Sequence, residues 1–141
     1  MQYYKDKSGQ ILLTLIPGEK IMESVLKASE ELGIVSAQVN GIGAVREPEI
    51  GVANIGKGYN TTVLPGVWEL INVTGNVSKL NGKLHSHLHV ALGGEDFVIR
   101  GGHLMEAEIA VTAEIFLTPL EKEIKRVDSP YVTGIKMWDL G

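Results

Sequence analysis

From residue 84 to residue 92 the chain reads Leu-His-Ser-His-Leu-His-Val-Ala-Leu, and a change of character at every second residue suits an extended strand. In a strand His85, His87 and His89 share one face, while Leu84, Leu88, Val90 and Leu92 share the other. One face packs and the other collects imidazoles. Side chains two apart on a face lie roughly 6.5–7 Å apart, so two imidazoles can converge on one ion at about 2.0–2.1 Å each. A third ligand must come from a neighbouring segment. The remaining histidine, His103, stands fourteen residues beyond His89 and directly after Gly101-Gly102. A short loop can return the chain beside the strand there, and the glycines let backbones approach closely. The same pattern also suits a hydrogen-bonded histidine cluster at a subunit boundary, or a pH-sensitive one.

The segments around this strand follow the same grammar. Residues 36–45, 49–54, 61–64, 67–77, 84–92 and 106–117 read as strands punctuated by Gly, Asn and Pro, and residues 11–16 as a buried strand ended by Pro17-Gly18. Asn81-Gly82 predicts a hairpin joining residues 67–77 to the histidine strand. In the last long strand Ile109, Val111, Ala113, Ile115 and Leu117 form one stripe. Only one segment has a helical period: Ile21, Met22, Val25, Leu26, Ser29 and Leu32, with Glu19 and Glu23 near the positive end of its dipole and Gly33 as its C-terminal stop. The expected fold class is therefore α/β (α+β), a mostly antiparallel sheet with one main N-terminal helix. Several strands are apolar on both faces, and one helix cannot cover them all, so a homo-oligomer is expected. Trp138 and Leu140 predict a final short strand or docked segment rather than a free tail.

With 141 residues and 44% hydrophobic content, residues 1–141 suit a single domain able to bury a real core. The net charge of −4 gives no general attraction to phosphate backbones. The absence of cysteine excludes a disulfide scaffold and a thiolate metal site, leaving imidazole, carboxylate or water as ligands. The first residues lack the apolar core of a signal peptide and no run approaches a bilayer span, so a cytoplasmic protein without membrane contact is expected.

Several apparent motifs fail on physical grounds. Gly51 to Lys57 has the spacing of a phosphate loop, but Gly58 stands where Ser or Thr should hold magnesium, and no helix N-terminus follows. Gly41-Ile42-Gly43 begins like a dinucleotide fingerprint, and Pro48 blocks the helix it would need. Ser86 lies on the face opposite the histidines, away from any base. His87-x-His89 with Glu95 and Gly101 partly matches the first cupin motif, but its spacing is wrong and the second motif is missing.

The chain resembles the plants-and-prokaryotes-conserved (PPC) domain family, known also from plant AT-hook nuclear proteins. The resemblance runs from Ile16-Pro17-Gly18-Glu19 through Leu32-Gly33-Ile34-Val35-Ser36-Ala37 and Gly41-Ile42-Gly43-Ala44-Val45. It continues in Trp68-Glu69-Leu70-Ile71-Asn72-Val73-Thr74-Gly75-Asn76-Val77, His87-Leu88-His89-Val90, Gly101-Gly102-His103-Leu104 and Thr112-Ala113-Glu114-Ile115. It implies a trimer and a divalent metal site, with zinc the expected ion, at His87, His89 and His103. His85 is an addition to the pattern, open to reading as a fourth ligand, a supporting partner or an exposed side chain. An open coordination position held by water would allow metal-dependent chemistry or a small-molecule ligand, with Glu69, Glu95 or Glu114 as acid/base candidates. The alternative implied by the plant members is a DNA-binding or transcription-associated assembly module with structural histidines. Those proteins reach DNA through a basic Arg-Gly-Arg-Pro-type arm, and no such arm is present here, so direct DNA binding is not expected.

Overall fold

Pro17 and Gly18 close the first predicted strand, which in the computed structural model, describing residues 1–141, is β2 (Ile11–Leu15). Helix α1 (Ile21–Glu31) follows and turns Ile21, Ser24, Val25 and Ala28 inward. Lys20 at its N-cap makes no side-chain cap; instead the Glu106 carboxylate accepts the Met22 N–H at 2.9 Å. This satisfies an otherwise orphaned helical donor and sets a negative charge at the positive end of the helix. At the other end Gly33 adopts φ +66° and the Ile34 N–H donates to the Ser29 carbonyl at 2.8 Å, which stops the helix.

The remaining elements are strands: β1 (Gln2–Lys5), β3 (Ala37–Asn54), β4 (Gly58–Val63), β5 (Val67–Leu80), β6 (Lys83–Gly93), β7 (Ile99–Pro119), β8 (Lys125–Asp128) and β9 (Lys136–Asp139). All pair antiparallel except β8, which runs parallel to β5. The architecture is thus the expected one, a mostly antiparallel sheet with a single short helix. The Asn81-Gly82 turn joins β5 to β6 as predicted, with left-handed φ at both residues (52° and 77°) and Leu80 opposite Lys83.

The four long strands pair in a circuit: β3 with β5, β5 with β6, β6 with β7, and β7 back to β3. Bulges let strands this long bend into the circuit, and register shifts occur at Gly41/Gly43, Gly43/Val45, Arg46/Glu49 and Leu70/Asn72. The inward faces of these strands meet α1 in one core that includes Val25, Leu88, Leu92, Leu104, Ile109 and Ile115.

Three expectations are corrected. Residues 36–45 and 49–54 are one strand, β3, because the kink at Pro48 falls where Glu47 takes φ 45° and the pairing slips. Strand β7 begins at Ile99 rather than 106, so Gly101, Gly102 and His103 are strand and not loop. These glycines lower strand propensity, yet they permit close strand contact. A Cβ on Gly101 would lie 2.2 Å from the Val90 carbonyl oxygen, and one on Gly102 2.6 Å from that of Gly51. Finally, Val111 leaves the predicted stripe, whose other four members are buried, and is 62% exposed, because four residues of β7 span the two-residue step from Gly43 to Val45. The C-terminal segment forms the short β8–β9 hairpin, in keeping with the expected final strand.

Candidate metal centre

The circuit of strands is what assembles the histidines. His89 on β6 pairs directly with His103 on β7, whose other neighbour is Gly51 on β3. His87 lies two residues back along β6 on the same face, opposite Asn76 of β5. Ser86 faces the other way, buried, with its hydroxyl donating to Met22 Sδ at 3.6 Å.

One ligand atom from each of His87, His89 and His103 falls within 4.8 Å of the others. The Nε2 atoms of His87 and His89 are 3.2 Å apart. A tetrahedral ion bound at about 2.0–2.1 Å holds its ligand nitrogens about 3.3 Å from one another, so this pair already has the spacing of such a site. The ring centroids are separated by 5.1 Å (His87–His89), 5.1 Å (His87–His103) and 5.5 Å (His89–His103). His103 Nδ1 is buried with no hydrogen-bond partner, and a buried imidazole nitrogen of this kind suits a cation. The three residues therefore fit a divalent metal by spacing, donor type and an otherwise unsatisfied nitrogen.

His85 shares the strand face but lies outside the group of converging ligand atoms. None of Glu69, Glu95 and Glu114 belongs to it either. Glu69 pairs with Gly93, four residues beyond His89 and roughly 13 Å along the strand. Glu114 lies eleven residues from His103 along β7, beside Ile42, and Glu95 lines a separate cleft with Trp68 and Arg100.

The surroundings include residues that the sequence did not mark. Tyr59 on β4 packs against His103 with ring centroids 4.7 Å apart. Arg126 on β8 is 8% exposed and donates from Nη2 to His87 Nδ1 at 3.1 Å and to Asn76 Oδ1 at 2.8 Å, and from Nε to Ser78 Oγ at 2.9 Å. Nothing in the sequence around Arg126 signals this role, because its place depends on the parallel pairing of β8 with β5.

Burial holds His85, His87 and His103 below the ordinary imidazole value, and the Arg126 charge adds to it at all three. For His87 the value is pushed down to about 4 from 6.5, so the ring is neutral near neutral pH and one of its nitrogens keeps a lone pair. A depressed histidine is neutral in the fold but protonated in the unfolded chain between about 4 and 6.5, so its stabilising contribution is complete above 6.5 and is lost as pH falls towards 4. The thermal midpoint of metal-free protein is expected to fall through that window more steeply than that of His87→Gln. Parallel profiles for the two proteins would contradict the assignment.

The fold and the cluster together define a class, a mostly antiparallel sheet protein with three histidines converging at the junction of β6 and β7. The chain belongs to the Plants and Prokaryotes Conserved (PCC, also PPC) domain family, whose sequence profile matches residues 3–121. It is similar to a PPC protein from Pyrococcus horikoshii, with 34% identity, a TM-score of 0.85, and 98% of this chain and 94% of that one covered. It is similar to a metal-containing protein from Archaeoglobus fulgidus, at 34% identity and a TM-score of 0.84, covering 97% and 96% of the two chains. A protein from Bacteroides thetaiotaomicron, described provisionally as DNA-binding, shares 27% identity at a TM-score of 0.91, covering 98% and 96%. No curated protein matches the chain. No helix is long and apolar enough to cross a membrane.

Proposed function

We propose that this PPC protein is a metal-binding homotrimer whose His87, His89 and His103 hold a divalent ion, zinc in the first instance. The convergence of three ligand nitrogens within 4.8 Å carries the reading. The metal-containing description of the similar Archaeoglobus fulgidus protein supports it. Three neutral imidazoles with no carboxylate suit an intermediate-hardness ion such as zinc. They leave the ion's charge unneutralised, and when bound it would supply Lewis acidity at an open position. His85 takes no part in ligation in this reading. Self-association is supported by exposed apolar side chains that gather at one groove, Ile42, Ile71 and Val111, at 55%, 47% and 62% exposure, while three as the subunit number rests on the family resemblance.

Metal analysis of protein purified without a histidine tag tests the centre. The expected stoichiometry is one ion per chain; a preparation that cannot be loaded with zinc would remove the proposal. Loss of His85 in His85→Ala leaves that stoichiometry unchanged. Sedimentation at graded concentrations tests the trimer.

The DNA-binding description of a similar protein favours a second reading, an assembly module on nucleic acid. The net charge of −4 works against it. A mobility shift on A·T-rich duplex at low salt separates the two, with no retardation expected.

A further inference from the structure

The side chain that supports His87 is of an unusual kind. A guanidinium has donors only, so the 3.1 Å contact from Arg126 Nη2 makes His87 Nδ1 an acceptor. The neutral ring then carries its proton on Nε2, the atom 3.2 Å from His89 Nε2. In that form Nε2 has no lone pair to give an ion. A histidine that binds through Nε2 carries its proton on Nδ1 and ordinarily offers it to a carboxylate, carbonyl or water. Here that N–H would point at another donor. Nδ1 cannot both keep its Arg126 bond and carry the proton that neutral ligation through Nε2 requires. An acceptor stands close by: Asn76, opposite His87 across the β5–β6 ladder, whose Oδ1 already takes a bond from the same Nη2.

Arg126 also anchors the C-terminal hairpin. Strand β8 meets β5 in two residue pairs only, Lys79 with Lys125 and Leu80 with Arg126. Beyond these, the guanidinium bonds to Ser78, Asn76, His87 and the Lys136 carbonyl join the hairpin's two strands to the sheet. No carboxylate pairs with this buried cation. Its polar partners are therefore these neutral acceptors, and losing one matters.

We propose that Arg126 sets metal uptake at the histidine centre against docking of the β8–β9 hairpin: the ion displaces the Arg126–His87 bond, and the hairpin loosens in response. The inference rests on the metal reading above and adds its regulation. Because coupling is reciprocal, weakening the Arg126 contact tightens metal binding by the same factor. Loss of one charge-assisted hydrogen bond corresponds to about tenfold in affinity. Arg126 is a positioning residue in this scheme, acting on the ion through His87 rather than by binding it.

The experiment uses the full, untagged chain with and without zinc. Nitrogen NMR of the histidine rings is expected to show His87 Nδ1 unprotonated without zinc and protonated with it. Amide exchange over residues 125–139 is expected to quicken on loading. Chelator competition should show zinc held about tenfold more tightly by Arg126→Gln than by the parent chain. Zinc binding by the parent with unchanged exchange in the hairpin and an Nδ1 that stays unprotonated would overturn the proposal, as would a variant that binds no tighter. If Arg126→Gln does not fold, the two measurements on the parent chain decide alone. Failure of every form to bind zinc would instead remove the metal reading, and this inference with it.

Discussion

Gly75→Ala lowers the thermal midpoint by about 10 °C, corresponding to about 3 kcal/mol in a chain of this size. A Cβ at Gly75 would sit 2.0 Å from the His87 carbonyl oxygen and 2.9 Å from Leu88 Cα, both backbone-bound atoms that cannot swing aside. Its φ of 156° also sits at the margin of what an L-residue adopts. The collision falls on the β5–β6 ladder at His87 itself, where Gly75 pairs with Leu88, so the variant should lose zinc affinity as well as stability. Gly51→Ala is the comparison: its new methyl group would meet side-chain atoms of Tyr59, Thr61 and Met105 at 3.2 Å or more, which can give way. Calorimetry on both variants checks the expectation, and equal midpoints would contradict it.

His103→Ala is expected to weaken zinc binding at least about a hundredfold while the chain stays folded, since only two imidazoles remain and the half-buried His103 is not one of the apolar side chains that build the core. The same competition assay on Ser86→Ala provides the control. Ser86 lies on the opposite face of β6, so its affinity should match that of the parent chain. A shared loss in both variants would point to general disruption rather than ligation.

Much of this site was legible because strand periodicity is local. Alternation from 84 to 92 required only neighbouring residues to place three histidines on one face, and Asn81-Gly82 named the hairpin that holds them. The helix was equally legible, with its 3.6 period and Gly33 stop. What escaped depends on contacts distant in sequence. The start of β7 at Ile99 was hidden because its glycines weaken the strand signal, and their value emerges only when Val90 and Gly51 are seen pressed against them. Arg126 reads as an ordinary charge of the C-terminal segment until β8 lies beside β5. The carboxylates Glu69, Glu95 and Glu114 were candidates by type alone, and the strand register sets Glu69 and Glu114 well along their ladders from the histidines.

The apolar groove at Ile42, Ile71 and Val111 belongs to the same account. Val111 reaches it only because the irregularity opposite Gly43 turns the side chain out of the inward stripe. A bulge that looks like an imperfection of the ladder thereby contributes to the surface on which the proposed trimer rests.

Anomalous scattering at the zinc absorption edge, from crystals of zinc-loaded protein, interrogates the histidine centre most directly. The expected map has one strong peak per chain, about 2.0–2.1 Å from a nitrogen of each of His87, His89 and His103. A peak elsewhere, or none between β6 and β7, would contradict the account.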